Sequence, residues 1–173
     1  NDAVASLLDR QGMPFMRRIH PEPDMLSLKN MARLLRVMGI PIAKNPDRTA
    51  IQAVLNYVKD SERALAVNLI VLRSLERAVY APTNIGHYAL ASTHYCHFTS
   101  PIRRYADLLV HRVLQAYLEG RIEAAKQEAA GEDLTSLGQH ITFTEERADN
   151  AERELTSVLI LQMLSKRIGD EMD

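Results

Sequence analysis

Apolar residues at three- and four-residue intervals, cut into short runs by Gly and Pro, leave this chain little choice but a stack of helices. The cleanest run starts at Asp24. Leu28, Met31, Leu35 and Met38 fall on one helical face, Asp24 stands at the N-cap, Gly39 follows the last apolar position and Pro41 lies just beyond. The segment "NPDRTAIQAVLNYVKD" repeats the pattern with Ile51, Val54, Leu55 and Val58, and Ser61 is placed to cap a further helix reaching about Leu75. At the start of the chain Val4, Leu7 and Leu8 share a face before Gly12 and Pro14 interrupt it. The spacing also predicts a helix over 101–119 ended by Gly120, and a shorter one rich in Ala, Glu and Lys over 121–130, broken at Gly131. A long last helix follows, in which Thr142 and Glu145 have capping-box spacing and Leu155, Val158, Leu159 and Leu161 carry an apolar stretch to about Ile168.

Two segments break the helical period. "FMRRIH" alternates briefly and ends at "PEPD", which reads as a short extended piece, and residues 76–92 carry Pro82, Asn84 and Gly86, which reads as a loop with one or two short strands. The predicted fold is mainly α with a few short strands, one unit over residues 1–173. Such strands complete no sheet unless chain outside this piece supplies the rest.

Charge and composition narrow the function. The chain has 173 residues, 46% hydrophobic and 25% charged, enough for a core of its own. The formal net charge is −1, so any anion-binding surface has to be local. One cysteine, Cys96, rules out an internal disulfide framework and any CxxC metal site, and suits a reducing, cytoplasmic setting. The longest apolar run, "ALAVNLIVL" at 64–72, is too short to span a bilayer and contains Asn68, so no membrane partner is expected. The chain opens at Asn1 and stops in "RIGDEMD" without an evident terminal element, which points to a piece of something longer.

The chemistry concentrates in "THYCHFTSPIRRYADLLVHRVL", residues 93–114. Thr99 or Ser100 can cap a helix that has Pro101 in its first position. Arg103 and Arg104 then fall in the first turn, where the helix dipole disfavours positive charge by about 0.3–1 kcal/mol each. Asp107, four residues after Arg103, is placed to orient that guanidinium, and His111 continues the same face. One carboxylate cannot serve two arginines fully, so an external anion is the natural further partner, and a phosphate suits both the helix amides and an arginine fork. The opposite face, Ile102, Tyr105, Ala106, Leu109, Val113 and Ala116, would dock the helix into the core. On spacing alone such a group is most often a surface ion-pair cluster.

The segment "NIGHYALASTHYCHFTSPIRRYADLLVHR", residues 84–112, closely resembles the signature of the RNB family of 3′→5′ exoribonucleases, the family of ribonuclease II and ribonuclease R, and is most similar to the latter. The shared points are Gly86, His87, Leu90, Ala91, Tyr95, His97, Phe98, Thr99, Ser100, Pro101, Arg103, Arg104, Tyr105, Asp107, His111 and Arg112. "RRIHPEPD" at 17–24 and "TEERADNAERE" at 144–154 resemble further family segments, while Ala89 and Ala106 depart from the Gly and the Pro or Gly expected there. The resemblance implies the C-terminal helical portion of an α+β catalytic domain that degrades single-stranded RNA processively from its 3′ end, with magnesium, to nucleoside 5′-monophosphates. It implies that Arg103 is the catalytic arginine aimed at the scissile phosphate, and that Glu152, in "AERE", lines the pocket of the 3′ nucleotide. Thr99, Ser100 and Arg104 are candidate RNA contacts. His87, His97 and His111 are weaker candidates, since a hydrogen-bonded core histidine explains each as well.

The family's metal site comes from clustered aspartates upstream of the signature, and nothing here matches it. The acidic groupings "EPD" at 22–24, "GED" at 131–133 and "TEE" at 144–146 read as caps or solvated surface. The expectation is that magnesium ligands, base-stacking aromatics and OB-type RNA-binding domains lie outside this chain, and that the piece alone is inactive and prone to self-association. Two other readings stay open: a module that holds RNA backbone without cleaving it, and a helical interaction domain whose arginines pair only with Asp107 and its neighbours.

Overall fold

A computed structural model of the chain describes residues 1–131 and 133–169, so that Glu132, within the "GED" grouping, and the last residues of "RIGDEMD" lie outside the described residues. Among the described residues seven helices and two strands follow one another as α1 (Asp2–Arg10), β1 (Arg17–Ile19), α2 (Met25–Val37), α3 (Arg48–Val58), α4 (Ala64–Ser74), β2 (Val79–Ala81), α5 (Tyr105–Leu118), α6 (Ile122–Gly131) and α7 (Leu134–Leu164), with short 3-10 turns at Tyr88–Leu90 and Ser165–Arg167. The mainly helical fold class predicted from the periodicity is the one observed. Among the described residues no helix is long and apolar enough to cross a membrane.

The α2–α4 helices form a self-contained bundle. Asp24 Oδ1 accepts from the amides of Leu26 at 2.7 Å and Ser27 at 2.9 Å, and Asp47 accepts from Ala50 at 2.8 Å, so α2 and α3 start at side-chain caps. Their stripes meet in a cluster of Met31, Leu35, Ile40, Ile51, Val54, Val58, Val67 and Val71. Each such side chain contributes about 1.5–3 kcal/mol by leaving water. Ser61 does not cap α4. Its hydroxyl turns back to donate to the Val58 carbonyl at 2.8 Å and closes α3, and α4 starts at Ala64 without a side-chain cap.

The rest of the molecule is organised around the strands. β1 and β2 pair antiparallel with Arg17 opposite Ala81, Arg18 opposite Tyr80 and Ile19 opposite Val79. This two-strand ribbon does form within the chain, because helices cover it: Met16, Tyr80, Ala106 and Leu109 pack with Leu134, Leu137 and Ile141 of α7. On the far side α1 joins α5 and α6 through Ala5, Leu8, Phe15, Cys96, Val110 and Ala116. Burial pushes the Cys96 thiol up to about 11, so it is a packing residue.

Two helix starts differ from expectation. α7 does not open at Thr142: Asp133 caps it by accepting from the amides of Thr135 and Ser136, and Thr142 lies well inside. α5 does not open at Pro101 either. Residues 101–103 form a turn in which the Ser100 carbonyl accepts the amides of Arg103 at 3.3 Å and Arg104 at 3.2 Å, and the helix begins only at Tyr105. Ile102, expected on the docking stripe, is therefore fully exposed, and Val110 takes a buried place beside Ala106 and Leu109.

Candidate nucleic-acid interface

The turn before α5 is held from below by one carboxylate. Asp107 is fully buried, accepts the Ser100 amide at 2.8 Å and takes a two-point hydrogen bond from Arg104, Nε at 2.8 Å and Nη2 at 3.0 Å. Burial alone would raise the Asp107 carboxyl, but the Arg104 and Ser100 hydrogen bonds outweigh it and hold it below the usual carboxylate range. The same hydrogen bonds raise the Arg104 guanidinium further. Asp107 also sits in the first turn of α5, where a negative charge is favoured by the exposed amides.

This geometry corrects the expected pairing. Asp107 orients Arg104, not Arg103, because Arg104 is the extended residue preceding the helix (φ −127°, ψ 118°) and its side chain folds back over the first turn. The premise that both arginines burden the first turn falls with it. No hydrogen bond or ion pair ties the exposed Arg103 side chain to any described residue. Neighbouring arginines thus have opposite fates, one locked and one free.

Both line a groove of about 660 Å³ between this turn and α7. Tyr80 and Tyr105 join Arg103 and Arg104 on one side, and Leu137, His140, Ile141, Thr144, Glu145, Ala148 and Asp149 face them from α7. Asp149 also borders a second hollow farther along the helix, lined by Glu152, Arg153, Thr156 and Ser157. His140, Thr144, Ala148 and Glu152 recur every four residues and so share one row of α7. Glu152 is exposed on that row, beyond the arginine groove rather than in it. Thr99 is exposed and lines neither hollow. Ser100 lies beneath the turn with its amide already taken by Asp107, so that amide is not available to an external phosphate.

The floor of the groove is a polar network. The Tyr80 hydroxyl shares a 2.8 Å hydrogen bond with His97 Nδ1, and the Arg18 guanidinium lies over the Tyr80 ring at 4.5 Å while pairing with Glu145 at 2.6 Å. Burial, reinforced by the charges of Arg104 and Arg18, lowers the His97 imidazole to about 4, so it is neutral at pH 7. His111 bonds the Phe98 carbonyl at 2.8 Å and stacks on the Phe98 ring, and the Leu90 amide donates to His87 Nδ1 at 3.3 Å. These contacts give all three histidines structural partners. Tyr80, His140 and Asp149 line the groove without having been singled out in the sequence, whereas Tyr105, expected on the stripe that docks α5 into the core, is half-exposed and faces the groove, and Thr144 and Glu145, read as cap or solvated surface, line it as well. The four-residue row through Glu152 was the available signal for His140 and Thr144, whereas Tyr80 arrives from a strand and carries no local mark.

A family model described as the RNB domain matches residues 1–120. The chain belongs to the RNB family. This RNB chain is 38% identical to ribonuclease R of Thermotoga maritima over 98% of its own length, while spanning 24%, about a quarter, of that protein. Among solved structures it is similar to Mycoplasma genitalium RNase R in complex with double-stranded RNA, with a TM-score of 0.85, 31% identity and coverage of 98% of this chain and 31% of that one. It is also similar to the same enzyme in complex with ribose methylated single-stranded RNA, with a TM-score of 0.81 and 30% identity over 98% of this chain and 27% of that one. A hard cation needs several converging oxygen ligands, and among the described residues no group of three or more His, Cys, Asp or Glu is arranged to hold a metal. The described residues do not by themselves fit a magnesium site.

Proposed function

We propose that residues 1–173 are the C-terminal, largely helical part of the catalytic domain of a hydrolytic 3′→5′ exoribonuclease. It takes the 3′ end of single-stranded RNA and releases nucleoside 5′-monophosphates processively. The observation that carries this reading is the Arg103 guanidinium, unpaired among the described residues, lining a groove in a chain of the RNB family. Arg104, fixed by Asp107, shapes the turn and lends positive potential, and Arg103 is left free to meet a phosphate oxygen. Negative charge grows on that phosphate as the ester breaks, and a cation already in place is worth most there. Glu152, farther along α7, accepts hydrogen bonds from the ribose or base of the terminal nucleotide; Thr99 and Ser100 contact the backbone near the turn.

We assign the ligands of the magnesium ion, which would supply Lewis-acid chemistry at the scissile phosphate, and the OB-type RNA-binding domains, to polypeptide outside this chain. The isolated piece is then inactive, and its exposed Leu155, Val158, Leu159 and Leu161 promote self-association in place of the chain that covers them. A cytoplasmic setting suits the lone buried thiol. The reading as a helical interaction domain requires both arginines to be paired internally, and Arg103 has no partner among the described residues.

The test uses the full polypeptide its gene encodes, a single-stranded RNA labelled at its 5′ end and magnesium. Stepwise shortening from the 3′ end with release of nucleoside 5′-monophosphates is expected, and none from residues 1–173 alone. Internal cuts, or RNA bound in a salt-sensitive manner but never shortened by the full polypeptide, would overturn the enzymatic reading in favour of a binding module.

A further inference from the structure

At the start of α7 the helix backbone lies against strand backbone too closely to admit a side chain. Gly138 is the buried residue of that helix, and a Cβ placed there would lie 2.5 Å from the Tyr80 carbonyl oxygen and 3.3 Å from the Met16 sulfur. The obstructing atom is strand backbone, which cannot swing aside as a side chain can. One turn on, Thr142 Oγ1 accepts the Tyr80 amide at 3.0 Å and donates to the Gly138 carbonyl at 2.8 Å. Glu145, in the next turn, takes the Arg18 ion pair. Three successive turns therefore seat α7 on β1 and β2, and the outward side of those same turns carries His140, Thr144 and Asp149 into the groove facing Arg103.

We propose that Gly138 and Thr142 are positioning residues that fix the spacing between Arg103 and the Asp149–Glu152 stretch of α7, so that one nucleotide spans both sides in reacting geometry. The proposal rests on the exoribonuclease reading for its catalytic consequence, though not for its geometry. Glu152 lies about 21 Å along the helix from Gly138 at 1.5 Å per residue. A methyl group at 138 lifts α7 off the Tyr80 backbone while the Glu145 pair still holds the next turns. The resulting tilt grows along the helix. Displacement of a reacting group by about 1 Å costs roughly 10²-fold in rate.

The experiment uses the full polypeptide with paired spin labels at the exposed positions 102 and 157, Cys96 being buried, alongside steady-state RNA degradation. Gly138→Ala is expected to lengthen or broaden the label distance and to lower kcat about 10- to 10²-fold with a much smaller change in KM. Thr142→Val should do the same to a lesser degree, while Thr142→Ser, which keeps the hydroxyl, stays close to the parent. Val54→Ala, in the remote α2–α4 bundle, serves as a control of comparable destabilisation. An unchanged label distance in both Gly138→Ala and Thr142→Val overturns the proposal, and so does a kcat loss in Val54→Ala as large as in Gly138→Ala. A full polypeptide that never degrades RNA would instead remove the exoribonuclease reading, with the label distances still deciding the seat.

Discussion

The two sides of the groove are built by opposite means. On the α5 side a turn of irregular backbone hangs on one buried carboxylate, with Asp107 holding Arg104 and the Ser100 amide from inside the protein. On the α7 side the helix rests against strand backbone, closer at Gly138 than any Cβ allows. A polar node can lock one guanidinium and leave its neighbour loose, which suits a side that delivers charge. Direct backbone packing cannot adapt, which suits a side that sets distance.

Removing the node should have the largest effect on stability. Asp107→Ala leaves Arg104 and the Ser100 amide without their buried partner and is expected to cost about 3–5 kcal/mol in chemical denaturation. A loss under about 1 kcal/mol would mean that the turn is held by something else. Next comes the pH dependence beneath the groove. The His97 imidazole titrates near 4 in the folded protein against an ordinary value of about 6.5, so the unfolded chain takes up the proton first as the pH falls. The stability this neutral form contributes is fully present above about pH 6.5 and is lost on the way down to pH 4, by on the order of 3 kcal/mol. Melting temperatures of parent and His97→Phe across that range should show a flatter slope for the variant.

Smaller effects probe the other side. Glu145→Ala removes the part-exposed pair with Arg18 and should cost about 1 kcal/mol, far less than Asp107→Ala, if α7 depends mainly on the Gly138 and Thr142 contacts. A loss as large as that from the node would erase the contrast. Smallest of all, Leu155→Ser with Leu159→Ser should change the stability of this chain by no more than about 0.5 kcal/mol, because both side chains already face solvent. The same pair of changes should reduce self-association in sedimentation experiments.

What was legible in the sequence divides along similar lines. α2 and α3 could be read because their caps and stripes are local: Asp24 and Asp47 bond to amides two or three residues away, and the apolar positions meet one another. The start of α7 was misread because Thr142, a capping residue by its spacing, spends its hydroxyl on Tyr80, 62 residues distant. The pairing of Asp107 failed for a subtler reason. Positions 103 and 104 both lie within helical reach of 107, and the choice between them depends on Arg104 being extended rather than helical, which no spacing rule expresses. Arg103, expected to be oriented by Asp107, instead lines the groove with no partner among the described residues, and the reason, Asp107 committed to Arg104, emerged only in three dimensions.

The free guanidinium is also where the account is most exposed. Arg103→Ala in the full polypeptide should lower single-turnover RNA cleavage by on the order of 10²-fold or more, with RNA affinity and melting temperature nearly unchanged, since the side chain has no partner among the described residues and acts on charge that develops during bond breaking; Arg103→Lys should recover little of the loss. Cleavage at the parental rate by Arg103→Ala, or a fall accounted for entirely by weaker RNA binding, would contradict the account.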